Sequence, residues 1–147
     1  MSVPEGYALA PTTSDHLLKL AIPVPGRDKP VLVEMPKRNW MPPAEVKKYK
    51  DWLTPFGEAE LKVVEWGNSF GQPESERPAR PVDAEKLLED FDQREVTLRW
   101  LKPHVSAADY RTLLDKLPDG TVDWIKDQIL STSDDITLGE SSASTDS

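Results

Sequence analysis

The sequence predicts a mainly α protein: a small N-terminal β-hairpin, then a bundle of short helices, then a disordered C-terminal tail. Three observations predict it. Two short apolar runs, residues 17–24 and 30–35, flank the turn-forming Pro25-Gly26-Arg27-Asp28-Lys29. Beyond residue 83, apolar residues recur at helical spacing. Eight of the 14 prolines precede residue 50 and none follows Pro118, which sets an irregular front against a helical back.

Residues 1–15 are small, polar and rich in helix breakers, and read as an extended arm. The hairpin follows. Pro23 has no N–H to donate, so the first strand should end there or lie at an edge. A lone hairpin is marginal in water and must pack on something or pair with another chain. Pro42-Pro43 opens a helix over about 43–53, carrying Ala44, Val46, Tyr49, Trp52 and Leu53. Pro55 should break it. A second helix is expected over 56–70, with Leu61, Val64 and Trp66 turned inward. Residues 72–82 hold Pro73, Pro78 and Pro81 and form the best internal boundary.

Asp83 is expected to cap a helix over about 84–102, with apolar positions 84, 87, 88, 91, 98 and 101, stopped by Pro103. Ser106 should cap the next, about 107–117, whose stripe is Tyr110, Leu113, Leu114 and Leu117. Pro118-Asp119-Gly120 leads to a last helix, about 121–130, with Val122, Trp124, Ile125, Ile129 and Leu130. The expected divisions are 1–71 (arm, hairpin and helices), 72–82 (linker), 83–130 (three helices) and 131–147 (tail). The tail carries Ile136 and Leu138 as its large apolar residues, too few to offset the entropy of ordering it.

Composition narrows the chemistry. The 147 residues carry 18 Lys+Arg against 26 Asp+Glu, a net charge of -8. That balance argues against general nucleic-acid binding. It is unevenly spread: residues 1–50 are net +3, 51–100 net -6 and 101–147 net -5. With no cysteine, disulfides, zinc–thiolate sites and cysteine nucleophiles are excluded. No apolar run is long enough for a membrane span, and the first fifteen residues lack the basic start and apolar stretch of a signal peptide. His16 and His104 lie in different segments without ligand spacing. No P-loop, GxSxG or GxGxxG occurs. The clusters around Glu58–Glu65 and Glu85–Asp92 alternate with apolar residues as solvated helix faces do. No cofactor, metal site or catalytic constellation is expected.

Lys37, Arg38, Lys47, Lys48 and Lys50 interleave with Trp40, Tyr49 and Trp52. Such a run could stack on and neutralise single-stranded nucleic acid. The simpler reading is an amphipathic helix with aromatics inward and lysines in water. Of the five tryptophans most should be core; Trp100 is the exception, offset from the Leu98/Leu101 stripe and so a candidate anchor. Candidate protein-interaction residues are Trp40, Trp52, Trp100, Trp124, Leu113 and Leu117.

From Leu98 onward the order is specific. The Leu-rich stretch from Tyr110 to Leu117 leads through a Pro/Asp/Gly turn to a helix holding Trp124. A Ser/Thr/Asp link then leads to Leu138-Gly139-Glu140-Ser141 and a Ser/Ala-rich end. With the front hairpin, this resembles the tail assembly chaperones of long, non-contractile-tailed bacteriophages, especially those of actinobacteria. The resemblance covers about 50 residues. It implies a non-enzymatic chaperone that coats and solubilises the tape-measure protein and helps tail-tube subunits assemble around it. Such a protein works in the host cytoplasm and is absent from the finished virion. It also implies a short form of a frameshifted pair, with Gly139-Glu140 encoded by a slippery run. Self-association is expected, by strand addition at the hairpin or by a basic front meeting an acidic back. The alternatives are a small acidic adaptor in another phage assembly and a weak single-stranded nucleic-acid binder.

Overall fold

A computed structural model of the chain describes residues 3–131; the expected tail lies almost entirely outside them. The protein is mainly helical with an N-terminal antiparallel hairpin, β1 (Leu17–Ile22) and β2 (Val31–Pro36). Five helices follow: α1 (Pro43–Asn68), α2 (Val82–Glu89), α3 (Glu95–Leu98), α4 (Ala107–Lys116) and α5 (Asp119–Leu130). They belong to two compact units, one built from 3–42 with 97–131 and the other from 43–96.

In the first unit, strand alternation decides the core. Leu18, Leu20 and Ile22 stand opposite Met35, Val33 and Val31, and all six are buried. The other face sets Lys19 opposite Glu34 and Ala21 opposite Leu32, all exposed. Pro23 follows the last residue of β1, as its missing donor requires. Leu98, Leu101, Tyr110, Leu113, Leu117, Val122, Ile125 and Ile129 supply the helical side of the core. Ser106 caps α4 by accepting the Asp109 N–H at 3.1 Å.

The hairpin reverses through Val24-Pro25-Gly26-Arg27, where the Arg27 N–H donates to the Val24 carbonyl at 3.0 Å. Gly26 has φ +85°, the left-handed value that the third position of such a turn demands. Gly26→Ala is expected to cost about 1–2 kcal/mol in urea unfolding. Gly57 lies inside α1, where an added Cβ meets nothing within 4 Å of the same chain, so Gly57→Ala should gain up to about 1 kcal/mol in the monomer.

The second unit corrects the expected break at Pro55. One helix runs from Pro43 to Asn68 with Pro55 inside it. Its inward stripe is Tyr49, Trp52, Phe56, Ala59, Val63 and Trp66, spaced by alternating three- and four-residue steps through the proline. The residues from Arg80 to Val96 return along this stripe. Arg80 lies over the Trp66 ring, Phe91 meets Phe56 and Trp52, and the Tyr49 hydroxyl donates to the Val96 carbonyl. Packing on both sides of Pro55 against one partner outweighs the proline penalty of about 3 kcal/mol. The proline-rich 72–82 segment therefore connects two helices of a single unit, and the unit boundaries fall at 42/43 and 96/97.

Continuous phase moves two residues. Leu61 and Val64, expected inward, are 58% and 49% exposed, on the far side of α1. The expected 84–102 helix is also interrupted. No large apolar residue lies between Phe91 and Val96, and the Asp92 carboxylate accepts the Arg94 N–H at 2.9 Å, a local bond that competes with the helix. After α3 the chain passes into a 3-10 segment, Arg99–His104, which contains Pro103. Pro81, not Asp83, is the N-cap of α2; Asp83 sits in the first turn.

Candidate protein-interaction surface

In the first unit a 3-10 turn, Arg38–Trp40, follows β2 and positions the Trp40 indole. The Trp40 N–H donates to the Lys37 carbonyl at 2.9 Å, and its own carbonyl accepts the Thr13 hydroxyl at 2.8 Å. The His16 ring stacks on the indole, with centroids 3.7 Å apart and planes 7° from parallel. Trp40 and His16 are thus one structural clasp between the arm and the end of β2. Arg38 places its guanidinium 5.1 Å from the Trp100 ring centre, so half-buried Trp100 has a cation on its face.

The clasp is steadied by Asp15. Its carboxylate accepts both the N–H and the hydroxyl of Thr12, at 2.8 and 3.1 Å. The backbone bond from Thr12, then its hydroxyl, hold the Asp15 carboxyl below the usual aspartate range. A lowered folded pKa favours the fold above the ordinary aspartate pKa, and that contribution fades as pH falls through the lowered value. A carboxyl-detected NMR titration should find Asp15 titrating below the ordinary aspartate value, and Thr12→Ala should raise it.

Beside Trp40 lies a cleft of about 70 Å³ lined by Lys37, Arg38, Asn39, Ile129, Leu130 and Ser131. Small-molecule sites run to roughly 300–1,000 Å³, so this cleft suits a few atoms of a larger partner. The wider hollow along Arg80, Val82, Glu85, Lys86 and Glu89 is walled by a single stretch of chain and is open surface. Among the described residues no three His, Cys, Asp or Glu side chains are grouped to hold a metal ion. No helix among them is long and apolar enough to cross a membrane.

The six expected anchors separate. Leu113 and Leu117 are 0% and 2% exposed: α4 spends its leucine stripe on the core, which removes both as surface anchors. Trp52 is half-buried, with ring centroids of Tyr49, Phe56 and Phe91 at 5.7, 5.6 and 6.4 Å. Trp40 and Trp100 are half-buried as described above. Trp124 alone of the six is largely exposed, at 45%. It sits on α5 beside a stripe of Val122, Ile125 and Ile129 that is buried without it; Leu130, 52% exposed, ends the same helix on the other flank. The basic-aromatic run also divides. Lys37, Arg38 and Trp40 belong to the first unit; Lys47, Lys48 and Lys50 stand exposed on α1 of the second, while Tyr49 and Trp52 turn inward. Leu61, Val64, Phe70, Val82, Leu32 and Leu130 are exposed apolar residues that periodicity did not single out as anchors. Only the phase of α1, carried unbroken through Pro55, could have revealed Leu61 and Val64.

Among the described residues, Trp124 and Leu130 of the first unit and Leu61, Val64 and Phe70 of the second leave aromatic and aliphatic surface exposed. No family model, curated protein or solved structure matches the chain.

Proposed function

We propose that this protein is a non-enzymatic tail assembly chaperone of a long-tailed bacteriophage. It binds and solubilises the tape-measure protein in the host cytoplasm, promotes tail-tube assembly around it, and is absent from the finished virion. The observation that supports this reading best is Trp124. A 45% exposed indole on a helix whose core stripe is complete without it is the kind of group that anchors protein contacts. The client is long, helical and apolar, and needs covering before the tube encloses it. Leu130 offers a second exposed apolar group on the other flank of the same helix, and the net charge of -8 keeps a coated client soluble.

Co-expression with a tape-measure fragment tests the proposal. The wild-type chain should move most of the fragment into the soluble fraction. Trp124→Ala combined with Leu130→Ala should lose that effect while unfolding at nearly the same urea concentration. A fragment that stays insoluble beside the wild-type chain would overturn the reading.

A further inference from the structure

The outer face of α1 is the strongest unexplained feature of the second unit. Leu53, Gly57, Leu61 and Val64 recur at helical spacing on the side away from the Tyr49–Trp66 stripe. Gly57, Leu61 and Val64 are exposed and Leu53 half-buried. Gly57 serves no internal contact, since a Cβ there meets nothing within 4 Å. A glycine inside a helix costs about 1 kcal/mol against alanine, and close approach of another backbone is a reason to keep one. Leu53 and Leu61 are each four residues from it.

Charge supplies the second observation. The first half of α1 carries Lys47, Lys48 and Lys50 against Glu45 and Asp51; the second carries Glu58, Glu60 and Glu65 against Lys62, so the halves still differ in sign. This order runs against the helix dipole, so the helix itself does not explain it. A second α1 laid antiparallel would explain it. With the two helices crossing at Gly57, Leu53 of each copy meets Leu61 of the other. Lys47 and Glu65 lie on the same flank, ten and eight residues from the crossing; within one copy Lys47 pairs with Asp51 at 2.7 Å, an exposed contact that it can exchange or share. At 1.5 Å per residue their levels then differ by about 3 Å, within reach of a lysine side chain. Parallel stacking would set like charges together.

We infer that two copies of this chain pair antiparallel through the outer faces of α1, crossing at Gly57. The contact is isologous, so it closes as a two-fold dimer. It covers Leu61 and Val64 in a unit whose own buried apolar side chains are Ala59 and Ala84. The inference stands independently of the client proposed above.

Sedimentation velocity of the full chain over a concentration series tests it. The wild-type chain should form a dimer. Gly57→Arg, checked as folded by circular dichroism, should weaken it at least about tenfold. Lys47→Glu and Glu65→Lys should each weaken it about two- to five-fold, and the double exchange should restore it. Because the chain has no cysteine, Gly57→Cys alone should give a disulfide-linked dimer on mild oxidation, and Glu76→Cys should not. A monomer at every concentration would overturn the inference. So would a dimer indifferent to Gly57→Arg, which would place self-association elsewhere. Loss of client binding in Gly57→Arg with self-association unchanged would assign the face to the client instead.

Discussion

Leu113→Ala is expected to destabilise the first unit by about 2–5 kcal/mol. Leu113 is fully buried on α4, in a stripe with Tyr110 and Leu117, and alanine would leave a void among packed neighbours. In a unit of this size such a loss lowers the midpoint by about 10 °C or more. Urea unfolding followed by tryptophan fluorescence measures it directly. Trp124→Ala on the neighbouring helix should shift the same curve by less than about 1 kcal/mol, because the indole is 45% exposed. The pair separates core from surface on one bundle. Unchanged stability in Leu113→Ala, with altered binding instead, would return Leu113 to the list of anchors.

Pro55→Ala is expected to stabilise the second unit by about 2 kcal/mol. Proline inside a helix costs about 3 kcal/mol, and removing it gives back up to about 1 kcal/mol through a freer unfolded chain. Nothing buried is lost, since Pro55 is exposed. The neighbouring Thr54 hydroxyl already donates to the Lys50 carbonyl at 2.7 Å, an interaction alanine leaves alone. The unfolding midpoint should rise with little change in helical signal. A fall in stability would mean that the proline shapes α1 in a way its aromatic stripe requires.

These two residues mark where the sequence is readable. The hairpin, α4 and α5 are legible because their signals are local and agree. β1 and β2 are two short apolar runs around a turn that Gly26 specifies, and Ser106 caps the leucine stripe of α4. α1 was not legible, because Pro55 is a strong local breaker and its tolerance depends on Phe91, which meets Trp52 and Phe56 from 35 or more residues along the chain. Splitting the helix there also lost its phase, and with it Leu61 and Val64. The expected helix over 84–102 failed for the opposite reason. Its apolar positions are individually placed inward or half-buried, but Ala84, Leu87, Leu88 and Phe91 serve one unit while Leu98 and Leu101 serve the other.

The surface was partly legible. An apolar stripe at helical spacing is the same signal whether it faces a core or a partner, so Leu113 and Leu117 could not be told from anchors by sequence. Trp124 could, in principle, because it is offset from the Val122–Ile125–Ile129 stripe that closes without it. The charge asymmetry also changes meaning. The net +3 front is divided between two units, and on α1 Lys47 pairs with Asp51 one turn further on.

Light scattering of a tape-measure fragment diluted from denaturant into buffer tests the central claim most directly. Stoichiometric wild-type protein should suppress the scattering, and Trp124→Ala, equally folded, should suppress it far less. Scattering that rises equally with wild-type protein, with Trp124→Ala and with buffer alone would contradict a protein that works by covering an apolar client.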